Sequence, residues 1–227
     1  MTTLRNILTM SWNLKGRTLP ALAAACLLGA CSSEGGGDWI GVYEMAKNMW
    51  SGSGPSVTLE EAASVPYASM GVRLGGGPEV MIILAGDTGG QSLWTSAAKI
   101  AITTEDGRIV RTAGFGHDLG GYVPQSAVKE NGVATVRWQG DFPDLKLYSI
   151  PILCRDKEAA DETIVILGKD IHTRRIDESC RSQSSLLDWS FDNTYWVDPV
   201  GGLVWRSIQH VHPQLGAIET EILRPPL

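Results

Sequence analysis

Cations, cysteines and long apolar runs are what this sequence has least of, and each shortage excludes something. Lys and Arg number 19 against 25 Asp and Glu in 227 residues, which argues against a surface that draws nucleic acid or anionic lipid. The apolar run Leu19 to Leu28 falls far short of the roughly 20 residues that a membrane-spanning helix needs. Of the four cysteines, two lie in the first 31 residues, which leaves only Cys154 and Cys180 in the rest of the chain. No linker, internal repeat or low-complexity run divides the chain after residue 37, so the remaining stretch of about 190 residues is read as one well-buried domain, 38–227.

The N-terminus reads as a processing signal rather than as part of a fold. Basic Arg5, Lys15 and Arg17 precede the apolar run, which ends in the small residues Gly29 and Ala30, the layout of a secretory signal with a peptidase site. Leu28-Gly29-Ala30-Cys31 has the form of a bacterial lipobox, in which a thiol is required because lipid is joined to its sulfur. Cys31 is therefore the expected lipidation site, with residues 1–30 removed. More than one acyl chain makes such anchoring stable. Ser32, in place of the aspartate that signals inner-membrane retention, points to the outer membrane, lipid-anchored and facing the periplasm. Ser32 to Gly37 holds three glycines and nothing apolar to bury, a short flexible tether. Removing residues 1–30 takes away three basic groups and no acidic one, leaving 16 Lys and Arg against 25 Asp and Glu, a formal charge of −9.

From Trp39, apolar residues recur at helical spacing through Val42, Tyr43, Ala46, Met49 and Trp50, with Asp38 placed to cap the start. Ser51-Gly52-Ser53-Gly54-Pro55 ends that helix. Thr58 with Glu61 forms a capping box for a second, short helix, which Pro66 terminates. After Tyr67 the period changes to short β-branched and aromatic runs. The clearest hairpin is Ile100 to Thr104, then Glu105-Asp106-Gly107, then Arg108 to Thr112, because Asp-Gly supplies the positive φ values of a type I′ turn. Further strands are expected at 70–74, 80–85, 92–97, 133–139, 145–155, 163–167, 171–180, 186–197, 203–212 and 217–223. The fold class is mainly β: a strongly twisted antiparallel sheet curled into a barrel or half-barrel, with one or two N-terminal helices packed against its open side.

The state of the two remaining cysteines depends on which strands carry them. If 147–183 forms three successive strands, Cys154 and Cys180 sit on non-adjacent strands, beyond the Cα separation of about 7 Å that a disulfide tolerates. If they lie opposite each other in one long hairpin with its tip near Gly168, they can bond, adding roughly 3 to 4 kcal/mol.

Three segments in order carry a resemblance: Pro66-Tyr67-Ala68-Ser69; Asp106 through Phe115; and Tyr195-Trp196-Val197-Asp198-Pro199 with Gly202, Val204, Trp205, Arg206 and Ser207. With these the chain resembles the YjbF/GfcB family of lipoproteins, encoded with exopolysaccharide and group 4 capsule secretion genes. The resemblance implies an accessory lipoprotein of polysaccharide secretion with a β-barrel-like body, no established enzymatic activity, and export proteins or the glycan as partners; no enzyme chemistry and no cofactor are expected. It supplies no catalytic residues and no role for Cys154 or Cys180.

No catalytic constellation stands out in the residues themselves. Gly52-Ser53-Gly54 lacks the spacing of a nucleophile elbow, and Gly114-Phe115-Gly116-His117-Asp118-Leu119 lacks the third glycine of a dinucleotide fingerprint and reads as a turn. His210 and His212 would share a strand face, but two ligands do not close a metal site. Strand tryptophans (Trp94, Trp138, Trp189, Trp196, Trp205) are mainly core, with Trp196 expected to face outward because it alternates away from Tyr195 and Val197. Trp196, Trp205 and Arg206 are thus the candidate glycan or partner contacts. Two rival functions remain: a lipid or lipoprotein carrier resembling LolA/LolB with an apolar cavity, and a periplasmic glycan hydrolase, which requires an acidic pair in a cleft.

Overall fold

The computed structural model describes residues 56–130 and 133–226. The lipobox, the tether and the expected helix over 38–50 lie outside them. Thr58 caps α1 (Leu59–Ser64) as its sequence dictates: its Oγ1 accepts from the Glu61 N–H at 3.2 Å while Glu61 Oε2 accepts from the Thr58 N–H at 2.7 Å. Twelve strands follow: β1 (Ser69–Leu74), β2 (Val80–Thr88), β3 (Gln91–Thr95), β4 (Ala101–Glu105), β5 (Arg108–Ala113), β6 (Gly121–Glu130), β7 (Val133–Phe142), β8 (Leu147–Ile166), β9 (Lys169–Ser182), β10 (Ser190–Val197), β11 (Val204–Gln209) and β12 (Ile218–Arg224).

They form one antiparallel sheet in the order β5-β4-β3-β2-β1-β12-β11-β10-β9-β8-β7-β6. Every neighbour in it is also a neighbour in sequence except β1 and β12, whose pairing joins the two ends of the strand series. The sheet is a meander that almost closes, and its one unpaired seam lies between the consecutive strands β5 and β6. One face is lined by Ile82, Ile102, Ile109, Phe142, Ile152 and Ile218, all fully buried. The barrel-like expectation holds, with an interior filled by side chains.

The Asp106-Gly107 turn forms as the sequence requires, with φ of 49° and 77°. Gly107 also lies where any Cβ would collide with the Val204 side chain, so this turn is packed against the β11 side of the molecule. There the Gln209 side chain serves the edge of β5. Its Oε1 accepts from the Ile109 N–H at 2.9 Å, and its Nε2 donates to the Gly107 carbonyl at 2.9 Å. The start of this edge strand is thus served by an amide from across the interior, and further along the Thr112 N–H donates to the Leu119 carbonyl at 3.0 Å.

Three expectations change, two for strands and one for the helix. The strands expected at 145–155 and 163–167 are parts of one 20-residue strand, β8, which pairs with β9 around a tight turn at Leu167-Gly168 and carries a bulge between Asp156 and Ala159. Cys154 and Cys180 are therefore directly opposite and joined, S–S 2.04 Å. β6 is a strand that sequence reading missed. Pro124 weakens its pattern, and Pro is tolerated there because β6 is an edge strand. Finally, α1 does not plug the seam. The segment before it is tied to β1 and the β1–β2 connection, with Val57 N–H donating to Glu79 at 2.8 Å and Arg73 donating to Ser56 at 2.6 Å. The helix itself lies beside the β8–β9 tip and the end of β12.

The disulfide closes a loop of 26 residues' separation inside the longest hairpin. Replacing both cysteines with alanine is expected to lower unfolding free energy by about 3 to 4 kcal/mol. A denaturant titration measures this, and an unchanged midpoint and slope contradict it.

Candidate functional site

The outward tryptophan patch is covered. Trp196 does alternate away from Tyr195, but it is only 7% exposed, because the tip of the β8–β9 hairpin folds over that face. Ile164 and Ile166 join it in a second small core, and the Val165 carbonyl accepts from Arg206 Nη2 at 2.9 Å. Arg175 and Arg206 each lie 5.8 Å from the Trp196 ring centroid, and Arg206 pairs with Glu221 at 2.7 Å. Trp196 is thus buried instead of outward-facing, and Arg206 beside it is held by Glu221 and the Val165 carbonyl. Trp205, half-buried at the bulge opposite Trp196 and Val197, lines a groove of about 350 Å³ with Leu59, Ala62, Ile166, Ile171 and Leu223.

A polar cluster on the inner wall was not foreseen. Arg108, the first residue of β5, reaches Glu178 of β9 at 2.6 Å. Its guanidinium carbon sits 4.7 Å from the Trp138 ring centroid and 5.2 Å from that of Tyr195, within cation–π range. The other Glu178 oxygen accepts from Asn193 Nδ2 at 3.0 Å. Asp156 of β8 is the strand partner of Glu178, so three ionisable groups share one small region. Burial disfavours the Arg108 charge, but Tyr195 and the Glu178 carboxylate outweigh it and its pKa rises. Burial pushes the Tyr122 and Tyr195 phenols up. Asp156 is also raised, by burial first and then by the Glu178 charge. A buried pair of this kind contributes little net stability but is costly to halve. No sequence signal joins residues 70 apart; only the curl of the sheet brings β5 onto β9.

A second cluster forms where three loops meet. The segment after β5 is a turn, as expected: Asp118 accepts from the N–H groups of Gly114 and Phe115 and from Thr112 Oγ1, each at 3.1 Å. It presents His117, whose Nδ1 lies 2.7 Å from Asp144 Oδ2. Asp144 Oδ1 lies 3.0 Å from His212 Nε2, and the two imidazoles stack with centroids 5.3 Å apart. His210 and His212 do not share a strand face, because β11 ends at Gln209. His210 Nδ1 lies 2.8 Å from the Asp192 carbonyl, while His212 is buried.

Three ligand-type side chains at this spacing raise the question of a metal. The second nitrogen of His212 answers it. His212 Nδ1 accepts from the Gln214 N–H at 3.1 Å, so the ring proton resides on Nε2 and is donated to Asp144. A neutral imidazole that ligates through Nε2 needs its proton on Nδ1, facing an acceptor. The arrangement fits a hydrogen-bonded clasp across three loops.

Burial pulls the His212 pKa below its ordinary 6.5, against the opposing effect of Asp144. Burial also works against the Asp144 carboxylate, but hydrogen bonds from His117 and His212 outweigh it and its pKa falls. For both groups the unfolded chain binds the proton more readily, so stability is full above the unfolded value and is lost as pH falls through the folded one. The thermal midpoint is expected to decline as pH drops below about 6.5, with His212 contributing a slope of at most about 1.4 kcal/mol per pH unit. His212→Gln removes that contribution while keeping a donor toward Asp144. Identical pH profiles for the two proteins contradict the assignment.

With this geometry in hand, comparison with known proteins places the chain. It is 23% identical over 217 residues to the uncharacterized lipoprotein YjbF of Escherichia coli K12, covering 90% of this chain and 97% of that one. To the uncharacterized lipoprotein GfcB of the same organism it is 25% identical over 181 residues, covering 75% and 82%. The crystal structure of the hypothetical lipoprotein YmcC from E. coli K12 has the same fold, with a TM-score of 0.60 at 21% identity over 84% of this chain and 96% of that one. The family model described as "Group 4 capsule polysaccharide lipoprotein gfcB, YjbF" matches residues 42–223, a span that runs from before α1 to the penultimate residue of β12, and the chain belongs to that family.

Proposed function

We propose that the protein is a non-catalytic lipoprotein of the outer membrane, facing the periplasm, that assists exopolysaccharide or capsule export by contacting the export machinery or the glycan. The observation that carries this reading is the family match over residues 42–223, under a description that names a capsule polysaccharide lipoprotein. The lipobox at Cys31 and the serine after it support the anchor and its destination.

The inner-wall chemistry favours binding over cleavage. A glycan hydrolase needs two carboxyl groups free to act on the scissile bond, and Asp156 opposite Glu178 is the pair such an enzyme would use. Glu178, however, is buried, with one oxygen on Arg108 and the other on Asn193, which holds it in a structural ion pair. The lipid-carrier reading requires an apolar cavity within the sheet, whereas Phe142, Ile82, Ile102 and Ile152 fill the interior.

Deleting the gene in a capsule- or exopolysaccharide-producing host is expected to reduce extracellular polysaccharide several-fold. Complementation with the Cys31→Ala chain should restore little of it, because that protein leaves the membrane fraction. Unchanged polysaccharide on deletion contradicts the proposed role, and retention of the Cys31→Ala chain in the outer membrane contradicts the proposed anchor.

A further inference from the structure

At the end of the sheet where the β2–β3, β4–β5 and β10–β11 turns meet, the filled interior opens into a pocket of about 390 Å³, within the size range of small-molecule sites. Met70, Trp94 and Ile222 form its buried floor, and Asp87 and Asp106 stand exposed at its rim. No Lys or Arg lines it among the described residues. Two further lining residues are polar and more than nine-tenths buried: Thr104 at 8% exposed and Thr220 at 6%.

Each of these hydroxyls holds a proton without an acceptor. Thr104 Oγ1 accepts from Trp94 Nε1 at 3.1 Å, and no described residue accepts the Thr104 proton in return. For Thr220 the cause lies one strand away. Gln209 Nε2, which only donates, reaches Ser207 Oγ at 2.8 Å, and Ser207 Oγ lies 2.6 Å from Thr220 Oγ1. Ser207 is fully buried, so its own proton is satisfied by donation to Thr220, which frees the Thr220 proton for the pocket. Buried donors without a partner are rare in native interiors. Two that line one open pocket mark where a ligand's acceptors belong.

We infer that this pocket is a binding site for a single neutral or amino sugar unit of a glycan. The inference rests on the export role proposed above and selects the glycan as the partner. A sugar ring offers oxygens as acceptors for Thr104 and Thr220, hydroxyl protons for Asp87 and Asp106, and C–H surface for the apolar floor. Asp87 is held for this by Ser92 Oγ, which donates to its Oδ2 at 2.8 Å, with Oδ1 left to accept. An acyl chain serves the floor alone. A lysine or arginine side chain from a partner protein serves the carboxylates and leaves both threonine protons unmatched. The two carboxylates repel a uronic acid and attract an amino sugar.

The test titrates the full chain in detergent with glucose, glucosamine, glucuronic acid and oligosaccharides cut from the host's own extracellular polysaccharide. Calorimetry gives affinity, and the Trp94 indole N–H resonance gives location, because that proton is held by Thr104 in the pocket wall. Saturable binding is expected, with the Trp94 resonance shifted and with glucosamine tightest and glucuronic acid weakest of the monosaccharides. Thr220→Val should weaken every affinity about three- to tenfold. Asp87→Asn combined with Asp106→Asn should abolish the preference for glucosamine over glucose, expected to be about two- to fivefold in the parent. Both positions are exposed, and asparagine suits the φ of 49° at Asp106, so this variant keeps the fold independently of Thr220→Val. Absence of saturable binding to every probe overturns the inference, as does binding that leaves the Trp94 resonance unmoved. Affinities unchanged by Thr220→Val overturn it too, as does a glucosamine preference that is absent from the parent or survives the double substitution. Each of these failures leaves the export role standing with the machinery as partner, whereas unchanged polysaccharide on gene deletion removes that role whatever the titrations give.

Discussion

A sheet that nearly closes must satisfy its edge strands by other means, and at the start of β5 a single side-chain amide does so. The Ile109 N–H would otherwise face a dry interior, where an unpaired group costs about 1–3 kcal/mol, and the Gly107 carbonyl sits half-buried beside it. Gln209 serves both, and its Nε2 also donates to Ser207 Oγ at 2.8 Å, next to the Ser207–Thr220 contact of 2.6 Å. The consequence is positional. With β5 fixed against the β11 side, Arg108 at its start is carried to Glu178, and the seam between β5 and β6 becomes a wall with polar chemistry on both sides.

Parts of this were legible in the sequence because they depend on local chemistry. Thr58 with Glu61 specifies a helix start, and Asp106-Gly107 specifies a hairpin, wherever they occur. The long strands alternate cleanly enough to name the sheet. The β6 strand was not legible, since Pro124 and a run of exposed residues hide an edge strand whose one neighbour provides its register. The bulge between Asp156 and Ala159 similarly made one strand read as two.

The candidate site was less legible than the fold. Alternation placed Trp196 on the correct face, but only tertiary structure shows that a hairpin from 30 residues upstream covers that face. The His210 and His212 pair failed because its premise, a continuing strand, ends one residue earlier at Gln209. Arg108 and Glu178 converge from strands far apart in sequence, and nothing in their spacing announces the contact; Tyr122 and Trp138 meet across the β6–β7 hairpin, hidden because β6 itself was not legible. A fold can thus be read from periods and turns while its chemistry depends on closure.

Closure by Gln209 is the claim on which the site depends, and the exchange rate of the Ile109 amide reports it most directly. In a Gln209→Leu chain of similar volume, that amide should lose at least about 30-fold of its protection, equivalent to about 2 kcal/mol, while Ile102 on the paired strand β4 remains protected. Equal protection of Ile109 in the two proteins would contradict the account, because it would mean that the edge of β5 is held by something other than the amide that faces it.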